Sequence, residues 1–158
     1  GCSSGQPLRV VTAVSRSESG DLVKVTLERI GHAAFEATAG SGGKLVVDGS
    51  PEIGGEGRGM RPMELLLSAV ASCSAMDVVH ILVNKQKQPL EHLRIEIEGE
   101  RPNTTPAPFT RMKLVFIAKG DVDENKLERA VSLAVEKYCS VRETLGGVEV
   151  TWEARLER

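Results

Sequence analysis

The strongest constraint on this chain is the stretch from Arg61 to Lys85, RPMELLLSAVASCSAMDVVHILVNK, its longest uninterrupted apolar segment. Pro62 suits a first helical position, where its missing N–H removes no bond. Glu64 falls where a capping-box carboxylate would sit, although Arg61 is a poor N-cap. No Gly or Pro follows from Leu65 to Val83, and apolar residues cover nearly every face. A helix apolar all round is a buried one, so this segment is expected at the centre of the fold, with Cys73 inside it.

The same length would span a bilayer. Ser68, Ser72, Ser74, Asp77 and His80 interrupt the run, however, and a charge at mid-membrane costs about 3 kcal/mol. A buried helix is therefore preferred to a membrane span. A core cysteine is often inert, so Cys73 alone carries no chemistry. The chain of 158 residues has the length of one domain, 1–158, with residues 1–7 expected to be flexible. Aromatics are only 3%, which leaves Leu, Ile, Val and Ala to build the core. A formal net charge of −2 and no basic block argue against nucleic acid as a partner. No charged-then-apolar leader is visible at the start, so a cytoplasmic location is expected. Three cysteines do not make a disulfide scaffold; in a reducing compartment they are more often catalytic or metal-binding. Cys2 lies in a glycine- and serine-rich start and is set aside.

Taken in order, Leu8–Val14 and Asp21–Ile30 read as strands of a hairpin, the second half-buried by its period of two. His32–Thr38 and Lys44–Asp48 are further short strands. The glycine-rich stretch between Asp48 and Arg61 lacks the Gly-Lys-Ser/Thr of a phosphate loop and any GxGxxG after a strand. It reads as a flexible loop feeding the helix, of a length often found in lids. Beyond Pro89, Leu93–Gly99 alternates strictly, and Thr110–Lys119 follows after a proline-rich connection. Asp121 or Asp123 can cap a second helix, whose Leu127, Ala130, Val131, Ala134, Val135 and Tyr138 form one apolar stripe ending near Cys139. Gly146-Gly147 turns the chain into a last strand, Val148–Leu156. Strands outnumber helices without regular βαβ alternation, which predicts an α+β fold with mostly antiparallel sheet.

Cys73 and Cys139 each belong to a helix that should be buried, and spacing alone does not say whether they meet. Asp77 lies about 40° round a helix from Cys73 and His80 about 20° the other way, so the three share a stripe. Such a stripe would suit an activated thiolate or zinc. No CxxC pair supports zinc, and no oxyanion arrangement supports a papain-like hydrolase. No metal and no cofactor are expected.

The segment Pro62-Met63-Glu64-Leu65-Leu66-Leu67, followed by Ala69-Val70-Ala71-Ser72-Cys73, with a second cysteine in Tyr138-Cys139-Ser140-Val141, resembles the OsmC/Ohr superfamily, and within it the small YhfA-like branch. The resemblance covers roughly Val25 to the C-terminus, and the two cysteine motifs, about 65 residues apart, carry its specificity. It implies an OsmC-like fold in which sheets wrap two central helices of an intertwined homodimer, with the site at the dimer interface. It also implies thiol-dependent reduction of organic hydroperoxides, with Cys73 as peroxidatic and Cys139 as resolving cysteine. A Cys73 sulfenic acid and a Cys73–Cys139 disulfide would be the intermediates, and an external dithiol of lipoyl type the reductant.

Two departures from the hydroperoxidase pattern stand out. The glutamate that follows the helix-start proline in Ohr-type members is here Met63, with Glu64 one place later. The region 37–44 offers Lys44 where those members place an arginine, and Arg58, Arg61 and Arg142 are the other cations to consider. Nine residues separate Glu64 from Cys73. In a regular helix that puts Glu64 about 180° round and about 13 Å along, too far to orient the thiol of its own chain. An unassisted thiol is only a few per cent ionised at neutral pH, so turnover is expected to be slow. A redox-sensing thiol protein, or a hydrophobic-ligand binder with little peroxidase turnover, remains an alternative.

Overall fold

The computed structural model describes residues 22–158. The expected strand at Leu8–Val14, the flexible start and Cys2 lie outside the described residues. Three short strands come first: β1 (Val25–Arg29), β2 (Phe35–Ala39) and β3 (Lys44–Val47). They form one antiparallel sheet in the order β1-β2-β3, with Leu27 opposite Ala37 and Ala37 opposite Leu45. Helix α1 (Pro62–Val79) follows and continues through a wider, π-wound turn, His80–Lys85. A second sheet takes β4 (Leu90–Glu100), β5 (Arg111–Gly120) and β6 (Glu149–Glu157) in that order. Between β5 and β6 the chain makes α2 (Glu124–Leu133), a second π-wound turn (Ala134–Tyr138) and the single-turn helix α3 (Ser140–Thr144).

The expected α+β class with mostly antiparallel pairing is what the described residues adopt. The exception is β5 with β6, which run parallel. A parallel neighbour needs a crossover, and α2 supplies it. Asp123 caps α2 by accepting the Lys126 N–H at 2.9 Å. The carboxylate of Glu64 accepts the Arg61 N–H at 2.9 Å, one half of a capping box.

Alternation in β5 decides where the core sits. Met112, Leu114, Phe116 and Ala118 point to one face and are fully buried. Over them lie Leu127, Ala130 and Val131 of α2, and Val70, Val78 and Leu82 of the α1 segment. Segment Pro62–Lys85 is long and apolar enough to cross a membrane by length and composition, but here it contributes to this core.

Two expectations need correcting for the chain taken alone. The central helix is not buried all round: within α1 only Val70, Ser74 and Val78 are buried, while Met76 is 70% exposed. Nor is β1 half-buried: all five of its residues are exposed, with Leu27 at 54%. Apolar periodicity marks which faces could be buried, but among the described residues these faces are left uncovered.

The glycine-rich segment before α1 is pinned rather than loose. Asp48, buried at the end of β3, accepts N–H bonds from Gly49, Glu56 and Arg58 at 2.8, 3.0 and 3.1 Å. These bonds, led by Arg58, hold its carboxyl below the usual range. Glycine is required where backbones touch: a Cβ on Gly55 would collide with the Gly49 carbonyl oxygen, and one on Gly59 with that of Val46.

Candidate functional site: a paired thiol between α1 and α3

Cys73 sits in the middle of α1, half-buried, and Cys139 is 3% exposed at the junction of the second π-wound turn and α3. Both are free thiols, and they are near enough for Cys139 to influence the ionisation of Cys73. The local chain path explains why they meet. The Cys139 N–H bonds to the Ala134 carbonyl at 3.0 Å, closing the π-wound turn. Cys139 then leaves the helical region, with φ −69° and ψ 104°, and serves as N-cap of α3. Its Sγ accepts the Arg142 N–H at 3.3 Å and lies 4.0 Å from the Val70 carbonyl oxygen, one turn before Cys73.

The same turn brings the first N–H groups of α3 to the other sulfur. Burial is the main influence on Cys73 and pushes its thiol pKa up. The nearby backbone N–H groups of Val141 and Ser140 oppose this, while the neighbouring Cys139 adds to the rise. Among the described residues no Lys or Arg side chain is a main influence on this thiol.

The other candidates are placed as follows. Glu64 caps the start of α1, and α1 is a regular helix through both it and Cys73, so it stays remote from the thiol of its own chain. Arg58 donates to the Ile30 carbonyl at 2.9 Å, and Lys44 lies exposed on β3. Arg142 is beside Cys139 through its backbone, while its charge acts on Glu136. Asp77 and His80 do not join the thiols. One buried Asp77 oxygen, Oδ2, makes no hydrogen bond among the described residues, and His80 Nδ1 lies 3.1 Å from Asn84 Nδ2. Among the described residues no three His, Cys, Asp or Glu side chains converge on a metal-sized site.

With two cysteines from distant segments meeting in this way, comparison with known proteins becomes informative. The family described as OsmC-like protein matches residues 55–153, well over half of the chain. The chain belongs to the OsmC-like family. Protein YhfA of Escherichia coli K12 is 38% identical over 108 residues, covering 68% of this chain and 77% of YhfA. Among solved structures, a hypothetical protein from Aquifex aeolicus superposes with a TM-score of 0.72 at 32% identity, over 88% of this chain and all of that one. An organic hydroperoxide resistance protein OsmC from Legionella pneumophila shares the fold at a TM-score of 0.64 and 23% identity, over 87% of this chain and 99% of the other.

In this OsmC-like chain the residues singled out from sequence thus divide. Cys73 and Cys139 come together; Glu64, Lys44 and Arg58 do not join them. The Ser140 and Val141 N–H groups were missed by sequence reasoning, because backbone donors leave no mark on residue type. The one available hint was Ser140, a small polar residue directly after a cysteine at a helix end.

Proposed function

We propose that this OsmC-like protein is a thiol-dependent peroxidase acting on organic hydroperoxides in the cytoplasm. The observation that carries the reading is the contact between Cys73 and Cys139, joined from segments far apart in sequence. The Cys73 thiolate attacks the terminal peroxide oxygen and breaks the O–O bond. An alcohol leaves, and Cys73 becomes a sulfenic acid. The Cys139 sulfur displaces that hydroxyl, forming the Cys73–Cys139 disulfide and releasing water. A small dithiol of lipoyl type then reduces the disulfide and leaves as its own cyclic disulfide. The N–H groups of Ser140 and Val141 steady the thiolate in place of the missing arginine.

The protein works as a homodimer in this reading. The exposed apolar residues of α1 and β1, Met76 and Leu27 among them, support a second copy as their cover. One observation favours the slower alternative, a redox-sensing thiol: burial raises the Cys73 pKa with no cationic side chain to counter it. Peroxide consumption separates the two. With cumene hydroperoxide and dihydrolipoamide, sustained consumption that Cys73→Ser abolishes supports the peroxidase. A single oxidation per chain without turnover supports the sensor. Consumption unchanged in Cys73→Ser overturns both.

A further inference from the structure

Below the thiol pair, at the start of α1, lies a cleft of about 620 Å³ between the 101–110 connection and the turn after α3. That volume is in the range of small-molecule sites, about 300–1,000 Å³. Its walls are apolar: Met63 and Leu66 from α1, Pro108 and Phe109 from the connection, Met112 from β5 and Leu145 after α3. Phe109 and Met112 are 8% and 0% exposed, so the floor is fixed by the core. Neither Cys73 nor Cys139 lines it.

Arg101 is the one charged residue in this lining. Its Nε donates to the Ala107 carbonyl, and its guanidinium carbon stands 6.0 Å from the centre of the Phe109 ring. The backbone bond and the ring fix the plane of the group. The two terminal nitrogens make no hydrogen bond or ion pair among the described residues, and they form the edge that grips a planar carboxylate through two parallel bonds.

We propose that this cleft binds an amphipathic monocarboxylate, its apolar body against Met63, Leu66 and Met112 and its carboxylate on Arg101. A lining with a single cation suits a monoanion better than a phosphate. The adjoining cleft of about 730 Å³ shares Met63 and Arg101 and adds Arg61 together with Asp48, Glu52 and Glu64, so its added carboxylates outnumber its added cation and disfavour an anion there. Within one chain the site is separate from the thiol pair, and its argument does not rest on the peroxidase reading.

Four methionines, Met60, Met63, Met76 and Met112, make the test direct. The whole chain, labelled with ¹³C at the methionine methyls, is titrated with octanoate, and in parallel with octanol and octyltrimethylammonium. Saturable shifts at Met63 and Met112, with Met60 and Met76 still, are expected for octanoate. Octanol and the cation should bind at least tenfold more weakly. Arg101→Gln should weaken octanoate at least tenfold, Arg101→Lys less, and Cys73→Ser not at all. The octanol comparison needs no variant, so a folding defect in Arg101→Gln does not blunt the test. Equal binding of octanoate and octanol overturns the proposal. So does a shift at Met63 without Met112, which places the ligand in the adjoining cleft. An absence of any shift, as a second copy seated over the cleft would give, overturns it as well.

Discussion

The two sheets of this protein solve the same problem differently. In β4-β5-β6, every second residue of β5 from Met112 to Ala118 is sealed under α1 and α2. In β1-β2-β3 no helix of the described residues closes over Leu27, Phe35 or Leu45, which remain 54%, 38% and 46% exposed. The first sheet has the composition of a buried one without the cover. An apolar face on a three-stranded sheet adds stability only when something covers it, and among the described residues nothing covers this one.

The largest effect should come from breaking the sealed sheet. Phe116→Ala removes a fully buried ring and should cost about 3–5 kcal/mol, read by chemical denaturation at one fixed protein concentration. Gly99→Ala in β4 comes next. A Cβ there runs into the Phe109 ring and lies 3.0 Å from Leu67 Cδ2, so overpacking should cost about 1–3 kcal/mol. The open sheet should answer in another way. Leu27→Lys is close to neutral in a lone chain, where surface changes stay within about 0.5 kcal/mol. If a second copy covers β1, the same substitution shifts the sedimentation profile from dimer to monomer and removes the concentration dependence of Tm that a dimer shows. Unchanged sedimentation would mean that the apolar face has another purpose.

A smaller effect concerns the loop between the open sheet and α1. The Asp48 carboxyl is held below its ordinary range by three N–H bonds, so it binds protons less readily folded than unfolded. Its stabilisation is then fully present above the ordinary carboxylate range and fades as pH falls through the lowered folded value. Asp48→Asn should lower Tm at neutral pH and flatten the acid limb of the Tm–pH curve.

How much of this was visible beforehand depended on whether the signal was local. The strict alternation of Leu93, Ile95 and Ile97 marked β4, and the stripe from Leu127 to Tyr138 marked α2 with its π-wound end. Both are periodicities within one segment, settled by which face meets the core. The parallel run of β6 on β5 was not visible, since pairing direction depends on where α2 returns the chain. The π-wound turns left no trace in residue type, yet the second one delivers Cys139 to Cys73. The two cysteine motifs resembled a known family, but the sulfur contact itself is a tertiary fact. Asp48 was passed over because an aspartate before glycines usually marks only a turn.

The thiol pair lies on the sealed side of the molecule, and its chemistry carries a pH signature. With burial raising the Cys73 pKa, alkylation of that residue by iodoacetamide should still be accelerating above about pH 9, where an ordinary thiol has begun to level off. An early plateau near neutrality would mean that a cation reaches the sulfur, as a second chain could provide.

The most direct measurement is peptide mapping of the reduced protein after one equivalent of t-butyl hydroperoxide. A Cys73–Cys139 linked peptide, absent before oxidation and lost on adding dihydrolipoamide, is the predicted result. Cys73 left as a sulfenic acid, or carried on to a sulfinic acid by a second equivalent, with Cys139 still a free thiol would contradict the account.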